Sequence, residues 1–237
     1  MKTDRNPLKE LQNSLDNIKG NLHVLETNVP VEKQMEFFHF SERVRNDLSN
    51  DQAVDEQIKV LTSTQSSLSE IKYALAFLAV SGDVKAYRAI EAYNEANPGE
   101  WVTMSLLQAR ITLQSEFSDE RQIFISSGLG GKDDLLRFYA FFKSNNGKPF
   151  SDYQKKLIEK EMPFYIQHYN GIPEEINIKD NYFYLLFLIN IKVDIKLMLD
   201  EAIGECNQYG NFINDGFIVT NVKAFSEEEI QSELKRK

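Results

Sequence analysis

The stretch with the most distinctive chemistry is Ser126-Ser127-Gly128-Leu129-Gly130-Gly131-Lys132. Glycines at 128, 130 and 131 can turn successive backbone N–H groups toward one point, an anion nest, and Lys132 adds positive charge. One expectation is therefore an anionic small molecule held by Gly128, Gly130, Gly131 and Lys132. The plainer expectation is that the glycines only serve a wide hairpin turn. The spacing is not that of a phosphate-binding P-loop, because Ser126 stands six residues before the lysine and Asp133 follows it. Asp133 and Asp134 also place negative charge beside any bound anion.

Other reactive groups are sparse. Cys206 falls on the apolar stripe of an amphipathic segment with no histidine near it in sequence, as an inert core thiol does. A single cysteine forms no internal disulfide, and with His23, His39 and His168 it gives no zinc-type spacing. His168 lies near a helix end, where it can contact carbonyl groups. Glu159/Glu161 and Glu174/Glu175 read as solvated carboxylates rather than acid pairs. GxSxG, HExxH and a strand-linked GxGxxG are all absent. No catalytic residue, metal or cofactor is expected.

The elements around these residues come in two styles. The chain has 237 residues, 42% of them hydrophobic and 11% aromatic, enough for one large or two modest cores. Leu8, Leu11, Leu15, Ile18, Leu22 and Leu25 draw a heptad-like seam along a first helix. That seam packs internally or self-associates, and its shortness and Gly20 favour packing. A second helix is expected between Pro30 and Ser49. Leu68, Ile71, Leu75 and Leu78 make a clean stripe ending at Ser81-Gly82, and Asp83 caps a helix carrying Tyr87, Ile90 and Tyr93. Asn97-Pro98-Gly99-Glu100 supplies a cap for the next, with Trp101, Met104, Leu107 and Ile111 on its core side. The alanine-rich faces and short turns over about residues 54–117 resemble a HEAT-type α-solenoid unit. That resemblance implies a short solenoid, and a plain antiparallel bundle fits the residues nearly as well.

Past Ser118 the period shortens from helical to strand-like. Gln122–Ser126 reads as a strand and Leu135–Phe142 as an apolar, central one. Asn145-Asn146-Gly147 marks a turn, and Ser151–Gln154 is a capping box opening a helix that Pro163 must kink or break. Glu175–Lys179 and Tyr182–Ile191 form a hairpin. The strongest amphipathic helix follows, from Ile195 to Cys206, and Phe217–Lys223 is the last strand. From Leu135 the order strand, helix, strand, strand, helix, strand looks like a ferredoxin-like split βαβ unit. The strand at Gln122 is then an extra element, expected to hairpin onto Leu135–Phe142, where it would compete with the last strand for that neighbour. Phe225, Ser226 and Glu229 open a terminal helix.

The fold class expected is thus α+β: an all-helical domain over 1–118 and a ferredoxin-like βαββαβ domain over 119–237, packed together without a flexible linker. Thirty-six acidic against 27 basic residues leave a net charge of -9. The 1–118 half holds 17 acids and 12 bases, the rest 19 and 15. That balance disfavours nucleic acid or an anionic membrane as partner, and the strand aromatics fail as an RNA platform for want of a basic face. No apolar stretch reaches the roughly 20 residues of a membrane span. The expectation is a cytoplasmic, non-enzymatic interaction or scaffold protein with a protein partner. The alternative is a small-molecule sensor using the Gly128–Lys132 loop.

Overall fold

The computed structural model describes residues 21–26, 28–46, 53–118 and 122–236. The expected helix over Leu8–Ile18 lies outside them. The chain divides into two compact units, one ending at Ile125 and the other beginning at Ser126. The division falls later than the change of period at Ser118, because the strand that follows pairs backward into the helical unit.

That pairing corrects two expectations. Asn21–Val24 (β1) is a strand, not the end of a seam helix, and it pairs in parallel with Gln122–Ile125 (β2) from Asn21 opposite Gln122 to Val24 opposite Ile125. His23 stacks on Phe124 with ring centroids 5.0 Å apart. The extra strand therefore hairpins onto nothing in the second unit.

Among the described residues, five helices complete the first unit: α1 (Val31–Asn46), α2 (Ala53–Thr62), α3 (Leu68–Val80), α4 (Val84–Ala96) and α5 (Glu100–Glu116). α3 opens on a capping box between Ser67 and Glu70 and is buried without interruption from Ala74 to Val80. A helix apolar all round belongs in a centre. Accordingly α3 packs against each of the other four, an arrangement that is a bundle around a core helix rather than a stack of repeats. Gly82, at φ +70°, ends α3, and Asp83 accepts from Lys85 N–H to start α4. Asn97 does not cap α5 as its position suggests. Its backbone and side-chain N–H groups donate to Tyr93 O, closing α4, while Gly99 occupies the N-cap of α5.

The second unit runs β3 (Gly131–Lys132), β4 (Leu135–Lys143), α6 (Asp152–His168), β5 (Ile172–Ile178), β6 (Tyr182–Ile189), α7 (Ile195–Asn207), β7 (Ile218–Thr220) and α8 (Glu227–Lys235). β4 pairs antiparallel with β6 from Leu136–Ile189 to Lys143–Tyr182, and β6 pairs antiparallel with β5. On its other side β4 takes β3 at Leu135–Leu136 and then β7 at Tyr139–Phe141. From β4 onward this is the ferredoxin-like order, last–first–third–second. The competition expected between the Gln122 strand and the last strand does not arise, because β2 pairs with β1, and β3 and β7 share the flank of β4 in succession.

Side chains alternate across β4. Leu136, Phe138, Ala140 and Phe142 lie on one face, all buried, and α6 and α7 turn the buried stripes Ile158, Met162, Ile166 and Met198, Leu199, Ala202, Cys206 inward. The other face carries Tyr139 and Phe141, packed with Tyr182, Phe225 and Ile230 of α8. α6 runs unbroken through Pro163. The ring removes one helical hydrogen bond, and the neighbouring Met162 and Ile166, both buried, hold the helix against the sheet.

Candidate functional site

The glycine loop is a hairpin. Lys132 pairs with Leu135, and the two residues between them, Asp133 (φ +49°) and Asp134 (φ +63°), make a type I′ turn. Gly130 sits at φ +68°, the left-handed conformation that glycine adopts without strain. Its N–H donates to Ser127 O at 3.2 Å, and the N–H of Leu129 donates to Asn221 O at 3.1 Å. Gly131 is in the β3–β4 ladder opposite Leu136. Gly128 is buried and Lys132 exposed. The four candidate residues are thus adjacent in space, but the amides between them are turned to different partners rather than to one point.

The charge beside this loop is also answered from within. Arg137 donates Nε and Nη2 to the two carboxylate oxygens of Glu174, the latter at 2.8 Å, and Nη1 to Leu129 O at 2.8 Å. A bidentate arginine pair of this kind is specific and strong. Through that hydrogen bond Arg137 holds the Glu174 carboxyl below the usual carboxylate range, with Lys132 assisting by charge. Glu174 is therefore a partner of basic residues, not half of an acid pair.

Cys206 is fully buried, and burial pushes its thiol up to about 12. It is protonated at neutral pH and not a nucleophile. His168 stacks on Phe164 at 6.2 Å. Among the described residues no group of three or more metal-ligating side chains converges, and no helix is long and apolar enough to cross a membrane.

A cleft in the helical unit has the better shape. It is a cavity of about 330 Å³ between α1, the first turns of α3 and the Asn97–Glu100 turn into α5. Trp101, Tyr93, Ile71, Leu75 and Met104 supply its apolar lining, and Leu68 stands at the rim 71% exposed. The stripe Leu68, Ile71, Leu75, Leu78 thus leaves the core at its N-terminal end. Leu75 and Leu78 are buried, Ile71 is half-buried and Leu68 is in solvent.

Trp101 is fixed from several sides. Its indole N–H donates to the backbone carbonyl of Lys72 at 3.1 Å, tying α5 to α3. Phe37 and Phe40 of α1 meet it edge-on at 5.2 and 5.4 Å. The Lys72 ammonium lies 4.6 Å from the ring centroid. Around it stand Lys33 and Glu36, paired at 3.0 Å, and Glu100, which makes no ion pair among the described residues. Lys33 holds the Glu36 carboxyl below its ordinary range, chiefly by that hydrogen bond, and Lys72 adds a smaller electrostatic share. Sequence reasoning put Trp101 on a core stripe and missed the cleft. The only signal available was Leu68, an apolar residue directly after an N-cap, where it begins a stripe too early to be covered.

The architecture is therefore an α+β chain of a helical bundle and a ferredoxin-like unit. No family model matches the sequence, and no curated protein matches it. Among solved structures, the crystal structure of a putative transposase from Deinococcus radiodurans R1 is similar at 12% sequence identity and a TM-score of 0.38, over 43% of this chain and 89% of that one. A likeness of that size carries no argument about function.

Proposed function

We propose that the protein is a non-enzymatic interaction protein of the cytoplasm that holds a protein partner in the Trp101 cleft of its helical unit. The observation that carries this reading is the pairing of a preformed apolar cleft with an exposed leucine at its mouth and charges of both signs around it. Binding sites are built this way: an apolar floor gives affinity and a few polar groups give orientation. The floor is rigid, because Trp101 is hydrogen-bonded and packed on two phenylalanines before any partner arrives, so little ordering entropy remains to be lost.

The ferredoxin-like unit offers a second, weaker surface. β5 is a sheet edge, and Ile172 at its start is 45% exposed. Its Glu174 and Glu175 are the charged residues that blunt an edge against indiscriminate strand addition. An anionic ligand at Gly128–Lys132 is the alternative, and it is disfavoured by the internal bonds of Leu129, Gly130 and Arg137 described above.

Comparative capture tests the reading. Full-length protein and its Leu68→Glu variant serve as baits in native lysate. Leu68 is exposed, so the charge should leave the fold intact, as thermal melting can verify. A partner recovered by the wild-type chain should be lost or weakened about tenfold or more with the variant, as expected when a charge replaces an apolar contact that the partner desolvates at the cleft mouth. Partners recovered equally by both baits would contradict the assignment to this cleft.

A further inference from the structure

We propose, on the basis of that docking reading, that the group received on the Trp101 ring is a cationic side chain, an arginine or lysine of a basic segment in the partner. Lys72 is then a built-in stand-in for it. A Trp face is the strongest aromatic acceptor for a cation, and the place over the ring is at present filled by the Lys72 ammonium at 4.6 Å. The chain supplies this cation from a flexible four-carbon stem whose backbone is anchored separately. The indole N–H bonds the Lys72 carbonyl, not its side chain, so the ammonium can swing away without loosening Trp101.

Displacing Lys72 leaves a site suited to another cation. Glu36 is already within electrostatic reach of Lys72, and Glu100 is within reach of Lys33 on the same rim. With Lys72 turned to solvent, the rim holds Glu36, Glu100 and only Lys33 as a counter-charge. Glu36 stays paired with Lys33, so an entering guanidinium meets the ring face together with Glu100, the rim carboxylate that has no ion pair among the described residues. Tyr93 and Ile71 can cover the aliphatic part of an arginine or lysine stem, which packs on apolar surface while its head stays polar. The charge of the whole chain, -9, draws basic segments toward it at long range and repels acidic ones. An acidic or neutral occupant gains from neither effect.

The test uses the full-length chain and its own probe, since Trp101 is the one tryptophan in the sequence. Its fluorescence is followed while two peptides of equal length are added: acetyl-Gly-Leu-Arg-Leu-Gly-amide and the same peptide with citrulline for arginine. Citrulline keeps the shape and removes the charge. The arginine peptide should change the emission saturably and bind about five- to tenfold more tightly than the citrulline peptide, a ratio in the range of a partly desolvated cation–π contact. Lys72→Ala should tighten the arginine peptide about threefold or more by removing the internal competitor. Added salt should weaken it, because the carboxylates are near the surface.

Equal affinities for the two peptides would overturn the proposal, and so would a silent Trp101 at millimolar arginine peptide in both proteins. Weaker binding by Lys72→Ala would overturn the stand-in role. These failures are separable from failure of the docking reading. If Leu68→Glu abolishes partner capture while arginine and citrulline bind alike, the cleft remains a docking site and only the cationic occupant falls. If Leu68→Glu leaves capture unchanged, the cleft itself is not where the partner sits.

Discussion

Cys206 shows how far a single residue's chemistry follows from position. Its place at the eleventh residue after Ile195 puts it on the inward stripe of α7 together with Met198, Leu199 and Ala202, and it is fully buried there. Burial disfavours the thiolate and raises the thiol to about 12. Native protein should therefore resist alkylation at pH 8, with modification appearing only as urea unfolds the chain; rapid labelling of the folded protein would contradict the burial. The sign of the pH effect is fixed by the same shift. A thiol whose folded value lies above its unfolded value of about 8.5 adds stability that is complete at neutral pH and is lost as pH rises toward 12. Burial raises the Tyr139 phenol as well, so both groups make alkaline pH the destabilising direction. Trp101 is the contrary case: its type and spacing announce core, and only the half-open end of α3 leaves it lining a cleft.

Elements were legible where local signals and packing agree. The capping boxes read at Ser151 and Ser226 both form, and the central place of β4 followed from an apolar run too long for a half-exposed strand. The misses have physical causes. Asn21–Val24 reads as helix because Leu22 and Leu25 continue a 3,4 spacing, but pairing with β2, a long-range event, decides the conformation. Asn97 looks like an N-cap because its side chain accepts well, and it instead closes the preceding helix. The glycine segment reads as the wide turn of a hairpin from the Gln122 strand, but that strand pairs with β1, and the hairpin observed is a tight one whose turn is Asp133-Asp134, where both residues hold positive φ. Aspartate tolerates that conformation less well than glycine. Asp134→Gly should therefore stabilise the protein by roughly 0.5–1 kcal/mol, read as a higher urea midpoint at unchanged slope. A loss of stability would mean that the Asp134 side chain makes contacts that the turn depends on.

For the whole molecule, the division into a helical bundle and a ferredoxin-like unit was visible from the change of period, and the position of the division was not, since β2 joins the first unit by pairing with β1. The fold by itself leaves function open, because both architectures host many activities. The central claim is that a partner seats on the first unit at the mouth of the Trp101 cleft. Backbone hydrogen exchange, followed by mass spectrometry on the full chain with and without the captured partner, tests it most directly. Protection should concentrate in residues 67–75 and 97–104, the N-terminal turns of α3 and the entry to α5. Protection confined to the sheet edge at 172–178 or to the 126–134 hairpin, with no change around Trp101, would contradict the account.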